Sequence, residues 1–357
     1  MSGGDTDHVS CAGARLTVEG QTRTGLDVQC EAGGAGNGGG RVDQPEQAAA
    51  PDTAGPTVPA VNPTTPATPA TPATGQGTDP TTPVAPTDGS WWVPPLGNQP
   101  WQWEIDHPLD LSSPSDMGTD ATLPDGQPAP DPVIYDIDGI ENPTSTVTAL
   151  HALGDHAICY VEVGTAGDYY SAADEGTPTT YYQEFQAAGV LGDKLSGYPE
   201  YFLNIDSPAT VSIVESMIDQ QCAGKGFDAV ETDLDETYSG SDGPTGFQLT
   251  KAAEEQYLTT LADYMHGLGL GWIIKNPDDT GDSFAADMEP LADGVLTEQC
   301  NQNSTCTSLA SYEDHKAIFN AEYAPEVTSE FCTSDDALGF NGAVFPVALD
   351  GGRSPCR

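Results

Sequence analysis

The segment FDAVETDL, residues 227–234, reads as a short buried strand that breaks into acids at its exit. Runs of the same kind flank it on both sides: WQWEI (101–105), PVIYDID (132–138), HAICYVEVG (156–164), LGWIIKN (270–276), DGVLTEQC (293–300), HKAIFNAEY (315–323) and NGAVFPVAL (341–349). Near-continuous apolar runs, as opposed to alternating ones, imply parallel strands covered on both faces. Helical stretches lie between them at 145–153, 211–226 and 249–270. The last opens on Thr250 in a capping position and closes on Gly267 and Gly269. Eight strands alternating with helices over about 265 residues predict an α/β fold, the (β/α)8 TIM barrel. An open doubly wound sheet is the weaker alternative, because no GxGxxG turn follows an early strand. The span 167–206 is too long for a simple connection and is expected to be an insertion at the active-site end.

The whole chain of 357 residues carries 55 acidic against 10 basic side chains, a formal charge of −45. Phosphate backbones would be repelled, so nucleic acid is excluded as a default partner. Anionic membrane surfaces are disfavoured for the same reason. The charge suits a cationic or neutral ligand, life in high salt, or simple solubility. No cofactor motif is present, no cofactor is expected, and a monomer is the expectation.

Hydrophobic residues make up 37 %, below the ~45–50 % of a typical globular domain. Residues 33–90 account for the deficit: they are Gly-rich and then Pro/Thr/Ala-rich, with PTTPATPATPAT at 63–74. Such a stretch cannot offset the entropy lost on folding and is expected to be a disordered linker. Residues 1–32 form a short fragment in which Cys11 and Cys30 bracket ARLTVEG and TGLDVQC. It is either a pair of stapled strands or a module remnant. The folded domain is then 91–357. No apolar leader follows Met1, and no run approaches the ~18 apolar residues of a membrane span.

The cysteines, at 11, 30, 159, 222, 300, 306, 332 and 356, form an even set. None sits in a CxxC pair or at zinc-finger spacing from a His, so no metal site is expected. Disulfides fit better, and they imply an oxidising compartment and an extracellular or secreted protein. Spacing suggests Cys300–Cys306 and Cys332–Cys356, leaving Cys159–Cys222 and Cys11–Cys30, although sequence alone does not fix the pairing.

In a barrel of this kind the chemistry sits at the C-terminal ends of the strands. Those exits carry Asp136 and Asp138, then Glu162 with Asp168 just beyond, then Glu231, Asp233 and Asp235. Lys275 and Asn276, Glu298 and Gln299, and Glu322 and Tyr323 follow at later exits. In so acidic a chain, any one of these carboxylates is most simply a solvated one. Glu231 stands apart, because it follows FDAV directly, where burial among other acids would raise its pKa as a general acid requires. GxSxG and HExxH are absent, and oxidised cysteines are not nucleophiles. Two carboxyls with aromatic neighbours (Tyr135, Tyr160, Tyr169, Tyr170, Tyr238, Tyr323, Trp101, Trp103) are what glycosidic chemistry needs.

Taken in order, WQWEI, YDID, ICYVEVG, KGFDAVETD, IIKN, TEQC and FNAEY resemble glycoside hydrolase family 114, the endo-α-1,4-polygalactosaminidases, from residue 91 to 356. The family pattern at the fourth strand is similar to GFDGVEPDN and puts Glu231 at its catalytic Glu. That at the third resembles CYFSAGSYEDWR and puts Asp168 at the second catalytic acid. This chain departs from the patterns at Glu162, in place of Ser, and at Thr165, Ala166 and Gly167, in place of SYE. Thr232 replaces Pro and Leu234 replaces Asn.

The resemblance implies a hydrolase cutting inside polymers of α-1,4-linked galactosamine or its N-acetylated form, with retention of configuration. Glu231 would be the general acid/base and Asp168 the nucleophile or electrostatic partner, with their exchange as the rival. Asp136, Asp138, Tyr160, Asp233, Lys275, Glu298, Glu322 and Tyr323 would line the sugar cleft. A deacetylated polymer is cationic, and an acidic cleft would attract it. Two other expectations compete: a non-catalytic carbohydrate-binding barrel, and a hydrolase of another amino-sugar polymer.

Overall fold

Each of the apolar runs forms a strand. The computed structural model describes residues 90–324 and 330–357. The Cys11/Cys30 fragment and the expected linker up to residue 89 lie outside them. The first strands are β1 (Trp101–Glu104), β2 (Ile134–Asp138) and β3 (His156–Glu162), with helix α1 (Thr144–Leu153) before β3. An insertion follows, made of β4 (Thr165–Gly167), α2 (Ala172–Glu175), α3 (Tyr181–Ala188), β5 (Leu191–Lys194) and β6 (Glu200–Leu203). Helix α4 (Pro208–Met217) leads to β7 (Ala229–Asp233), and α5 (Lys251–Leu268) to β8 (Gly271–Lys275). Then come α6 (Phe284–Met288), β9 (Gly294–Glu298), α7 (Cys300–Asn303) and β10 (Ala317–Tyr323). The chain closes with α8 (Phe331–Leu338), β11 (Asn341–Phe345) and β12 (Ser354–Pro355).

Strands β1, β2, β3, β7, β8, β9, β10 and β11 lie side by side in that order, and every pairing among them is parallel. This is the strand order of a TIM barrel. Apolar side chains pack on both faces of the sheet, which is why the strands read as unbroken apolar runs. One cluster, with Trp101, Trp103, Ile134, Ile158, Ile273, Leu296, Phe319 and Phe345, fills the interior. It bridges the ends of the sheet, since the Trp101 ring lies 5.2 Å from that of Phe319 and 5.0 Å from that of Phe345. A larger cluster lies between the sheet and the helices. Among the described residues β11 and β1 share no ladder. Trp101 Nε1 donates to the Asn341 carbonyl (2.9 Å), and the Ile105 amide donates to the Leu349 carbonyl (3.3 Å).

The helices follow their capping signals. Thr250 Oγ1 accepts the Ala253 amide (3.2 Å), and Gly269 ends α5 with φ 82°. Gly267 lies inside that helix. The stretch expected as one helix over 211–226 starts earlier, because Ser207 caps it and Pro208 takes the first turn. It stops at Met217 and continues as a π turn, Ile218–Cys222, and a 3₁₀ turn, Ala223–Lys225. Strict alternation of strand and helix fails at both ends: turns fill 105–133, and β12 runs antiparallel to β11 after the last strand. Among the described residues three disulfides form: Cys159–Cys222, Cys300–Cys306 and Cys332–Cys356. The insertion forms a separate antiparallel sheet in the order β4–β6–β5.

Candidate active site

Alternate residues of the barrel strands point inward, and above the apolar floor of Ile134, Ile158, Ala229, Ile273 and Leu296 they turn polar. This upper layer holds Asp136 from β2, Tyr160 from β3, Glu231 and Asp233 from β7, Lys275 from β8, Glu298 from β9 and Tyr323 from β10. Lys275, 1 % exposed, is its centre. The ammonium lies 3.2 Å from Asp233, 3.2 Å from Glu298 and 3.8 Å from Glu231. Its nitrogen also sits over the rings of Trp103 (4.9 Å) and Tyr160 (5.3 Å), which adds a cation–π attraction. Burial alone would lower the lysine pKa, but Asp233, Glu298 and Glu231 outweigh it and raise it well above the ordinary value.

The carboxyls differ in their surroundings. Asp233 is well partnered, accepting from the Tyr160 hydroxyl (2.7 Å) and the Leu234 amide (2.8 Å) besides Lys275. Glu298 accepts from Tyr323 and from Asn276 Nδ2 (2.9 Å), and its own amide donates to Asn276 Oδ1 (2.8 Å). Glu231 is fully buried, and neither of its oxygens has a hydrogen-bond partner. Burial first, then repulsion from Asp136, pushes its pKa well above the carboxylate range.

The backbone at these exits is specialised. Leu234, Asn276 and Gln299, each directly after a site residue, adopt φ 61°, 48° and 57°, conformations that non-glycine residues avoid and that concentrate at functional sites. Gly164 lets the exit of β3 pack on that of β7, since a Cβ there would lie 2.1 Å from the Leu234 carbonyl oxygen.

Beside this layer a pocket of about 390 Å3 opens to solvent. Asp138, Tyr160, Glu162 and Glu200 line it, with Tyr169 and Tyr170 from the segment after β4. Tyr170 donates to Asp138 (2.5 Å) and Tyr169 to Glu162. Burial, then the nearby Glu200, raises Glu162 well above the ordinary range, and burial takes Glu200 up to about 7. Glu231 is not in the pocket lining; it pairs across the ladder with Tyr160, which is.

The sequence-predicted residues Asp136, Asp138, Tyr160, Glu231, Asp233, Lys275, Glu298 and Tyr323 are thus brought together. Glu322 is not. Because Tyr323 points inward, Glu322 points outward, where its carboxylate accepts the Asn301 amide (2.9 Å) at the start of α7. Asp168 is exposed at the end of β4, and the charges that act most strongly on Glu231 are Asp136, Lys275 and Asp233. Several expected sugar-stacking rings serve packing: Trp101 and Trp103 are interior, Tyr135 donates to the Met117 carbonyl (3.2 Å), and Tyr238 donates to Asp282 (3.0 Å). Glu200 was not foreseen, because it reaches the pocket on an antiparallel strand of the insertion, a pairing with no local sequence signal.

Among the described residues, Glu104, His107 and Asp116 form a group of acids and His close enough to hold an ion. In this structure His107 itself bridges the two acids, with Nδ1 3.4 Å from Glu104 and Nε2 3.1 Å from Asp116.

The family model of Glycoside-hydrolase family GH114 matches residues 81–357. The chain belongs to glycoside hydrolase family GH114. It is therefore a glycoside hydrolase, and the barrel mouth is where such an enzyme of this architecture works. The crystal structure of Aspergillus fumigatus Ega3 in complex with galactosamine is 24 % identical, covering 75 % of this chain and 98 % of that one, with a TM-score of 0.60. The glycoside hydrolase domain of PelA from Pseudomonas aeruginosa is 13 % identical over 71 % of this chain and 97 % of that one, with a TM-score of 0.49. A search of the curated proteins finds no match to this GH114 chain.

Proposed function

We propose that this GH114 protein cuts internal α-1,4 bonds in polymers of galactosamine or N-acetylgalactosamine, with Glu231 as general acid/base. The observation that carries the reading is the contrast between two carboxyls on β7. Glu231 is dry and raised in pKa, whereas Asp233 is ion-paired to Lys275 and hydrogen-bonded by Tyr160. Two carboxyls in such contrasting surroundings can supply an acid and a base or nucleophile. Both touch the Lys275 nitrogen, so their oxygens lie no farther apart than those two contacts laid end to end. That span accommodates a two-carboxylate mechanism, and retention of configuration is our expectation.

Asp233 is proposed as the partner carboxylate. A second reading keeps Asp168 in that role on the strength of the CYVEVGTAGD motif. Tyr169 and Tyr170 at the open pocket are the rings placed to meet a sugar. The galactosamine ligand of the Ega3 structure and the excess of acids at this mouth both favour an amino-sugar polymer. Disulfides support export from the cell.

Hydrolysis of α-1,4-galactosaminan and of chitosan, compared for the parent, Glu231→Gln, Asp233→Asn and Asp168→Asn, tests the assignment. Glu231→Gln is expected to lower kcat by about 10²–10⁴. Unchanged turnover in that variant ends the catalytic reading, and a loss confined to Asp168→Asn moves the second role to Asp168.

A further inference from the structure

Asp136 on β2 and Glu231 on β7 stand on either side of β3. Both side chains are sealed from solvent, at 1 % and 0 % exposure, and the two carboxyls adjoin within hydrogen-bonding reach. Asp136 Oδ1 and both oxygens of Glu231 lack any N–H or O–H partner. Two anions cannot occupy so dry a place together. Carboxyls that face each other bond only when one of them carries a proton, because a carboxylate is purely an acceptor. One proton between them therefore supplies the missing donor and removes one of the two charges.

The other groups facing Glu231 do not remove that need. Tyr160 from β3 is committed to Asp233, and Tyr323 from β10 to Glu298. Asp233, on the same strand, adds a further negative charge. Lys275 from β8 is the one cation of the group, but Asp233 and Glu298 hold it at 3.2 Å each, closer than the 3.8 Å to Glu231.

We infer that Asp136 and Glu231 form a proton-sharing carboxyl pair in which Asp136 is the positioning residue that keeps Glu231 protonated in the resting enzyme. The catalytic use of that proton rests on the function proposed above, whereas the pair is a property of the protein at rest. Burial raises Asp136 up to about 7, consistent with a pair that passes from doubly to singly protonated near neutrality.

Infrared difference spectra of the full chain through a pH titration, compared for the parent, Asp136→Asn and Glu231→Gln, read the pair directly. The parent is expected to keep a protonated-carboxyl band above pH ~7 that Glu231→Gln removes. In Asp136→Asn an amide donor replaces a repelling acid, and the Glu231 midpoint should fall by more than about one pH unit. In Glu231→Gln the protonated acid that lowers Asp136 gives way to a weaker amide donor, so the Asp136 midpoint should rise, a readout that survives if Asp136→Asn does not fold. Unmoved midpoints in either variant overturn the pair.

The basic limb of kcat/KM should shift to lower pH in Asp136→Asn by the same amount. Shifted midpoints in a protein that cleaves no amino-sugar polymer would sink the hydrolase reading and leave the pair standing. Active enzyme with an unmoved limb and unmoved midpoints would do the reverse.

Discussion

Lys275, on β8, ties the acids of β7 and β9 together. It is a buried cation facing Asp233, Glu298 and Glu231, and removing one partner of a buried ion cluster leaves charges without compensation. Lys275→Met is expected to lower folding stability by about 3–5 kcal/mol. Lys275 lowers Glu231, so removing the ammonium should raise the folded-state pKa of that carboxyl further. A raised carboxyl pKa favours the folded state at low pH and loses that advantage as pH rises. The deficit relative to the parent should thus be larger at about pH 8 than at about pH 5, as urea midpoints at the two pH values would show. A smaller deficit at the higher pH would contradict this electrostatic account.

At the same scale, the sequence signalled which residues stand at exits but not which way they point. Glu322 and Tyr323 are adjacent, and a strand apolar on both faces gives no clue to which of them faces the interior. Only the inward phase of Phe319 and Ala321, visible once the barrel is closed, settles it. For Asp168 the sequence is silent on a different point: the chain leaves β3 and soon enters β4, so distance along the sequence beyond Glu162 does not measure distance along the barrel axis.

At the level of elements, the strands were legible because burial on both faces writes an unbroken apolar run. The helices were legible where caps such as Thr250 mark them. The turn-built stretch 105–133 and the fold of the insertion were not, since their stability comes from contacts distant in sequence, such as Thr165 Oγ1 donating to Glu200 (2.9 Å). Disulfide pairing rested on loop length alone, and loop length also orders the stabilities. Cys159–Cys222 spans 63 residues and fastens β3 to the π turn after α4, whereas Cys300–Cys306 spans 6. Chain entropy assigns about 4 kcal/mol to the first and about 2 kcal/mol to the second. Replacing both cysteines of each pair with Ala should therefore lower the thermal midpoint more for Cys159/Cys222. The opposite order would show that native-state strain or residual structure decides.

For the whole molecule, the acid excess shapes the response to pH. Burial raises Asp136 and Glu200 up to about 7 and Glu104 and Glu254 up to about 8, whereas an unfolded carboxyl titrates near ~4. Between roughly pH 4.5 and 8 the folded state binds more protons than the unfolded one, so stability is greatest at the acidic end and is lost as pH rises. The thermal midpoint should be higher at about pH 5 than at about pH 8 by roughly 5 °C or more. Repeating the comparison at about 1 M salt screens the general repulsion of a chain with charge −45 and leaves the part due to buried groups. A midpoint that climbs with pH would refute the assignment.

The junction of β11 with β1 bears on how a long carbohydrate could thread this molecule. Every other stave is laced to its neighbour by a regular ladder, while this joint depends on the Trp101 indole, the amides of Gln99 and Ile105, and packed rings. Ile105 and Asp106 on one side, and Val347, Ala348 and Leu349 on the other, are walls of the open pocket. The edge of the cylinder with the fewest hydrogen bonds thus adjoins the open pocket, while Lys275 and its acids are held on the ladder-bonded side opposite.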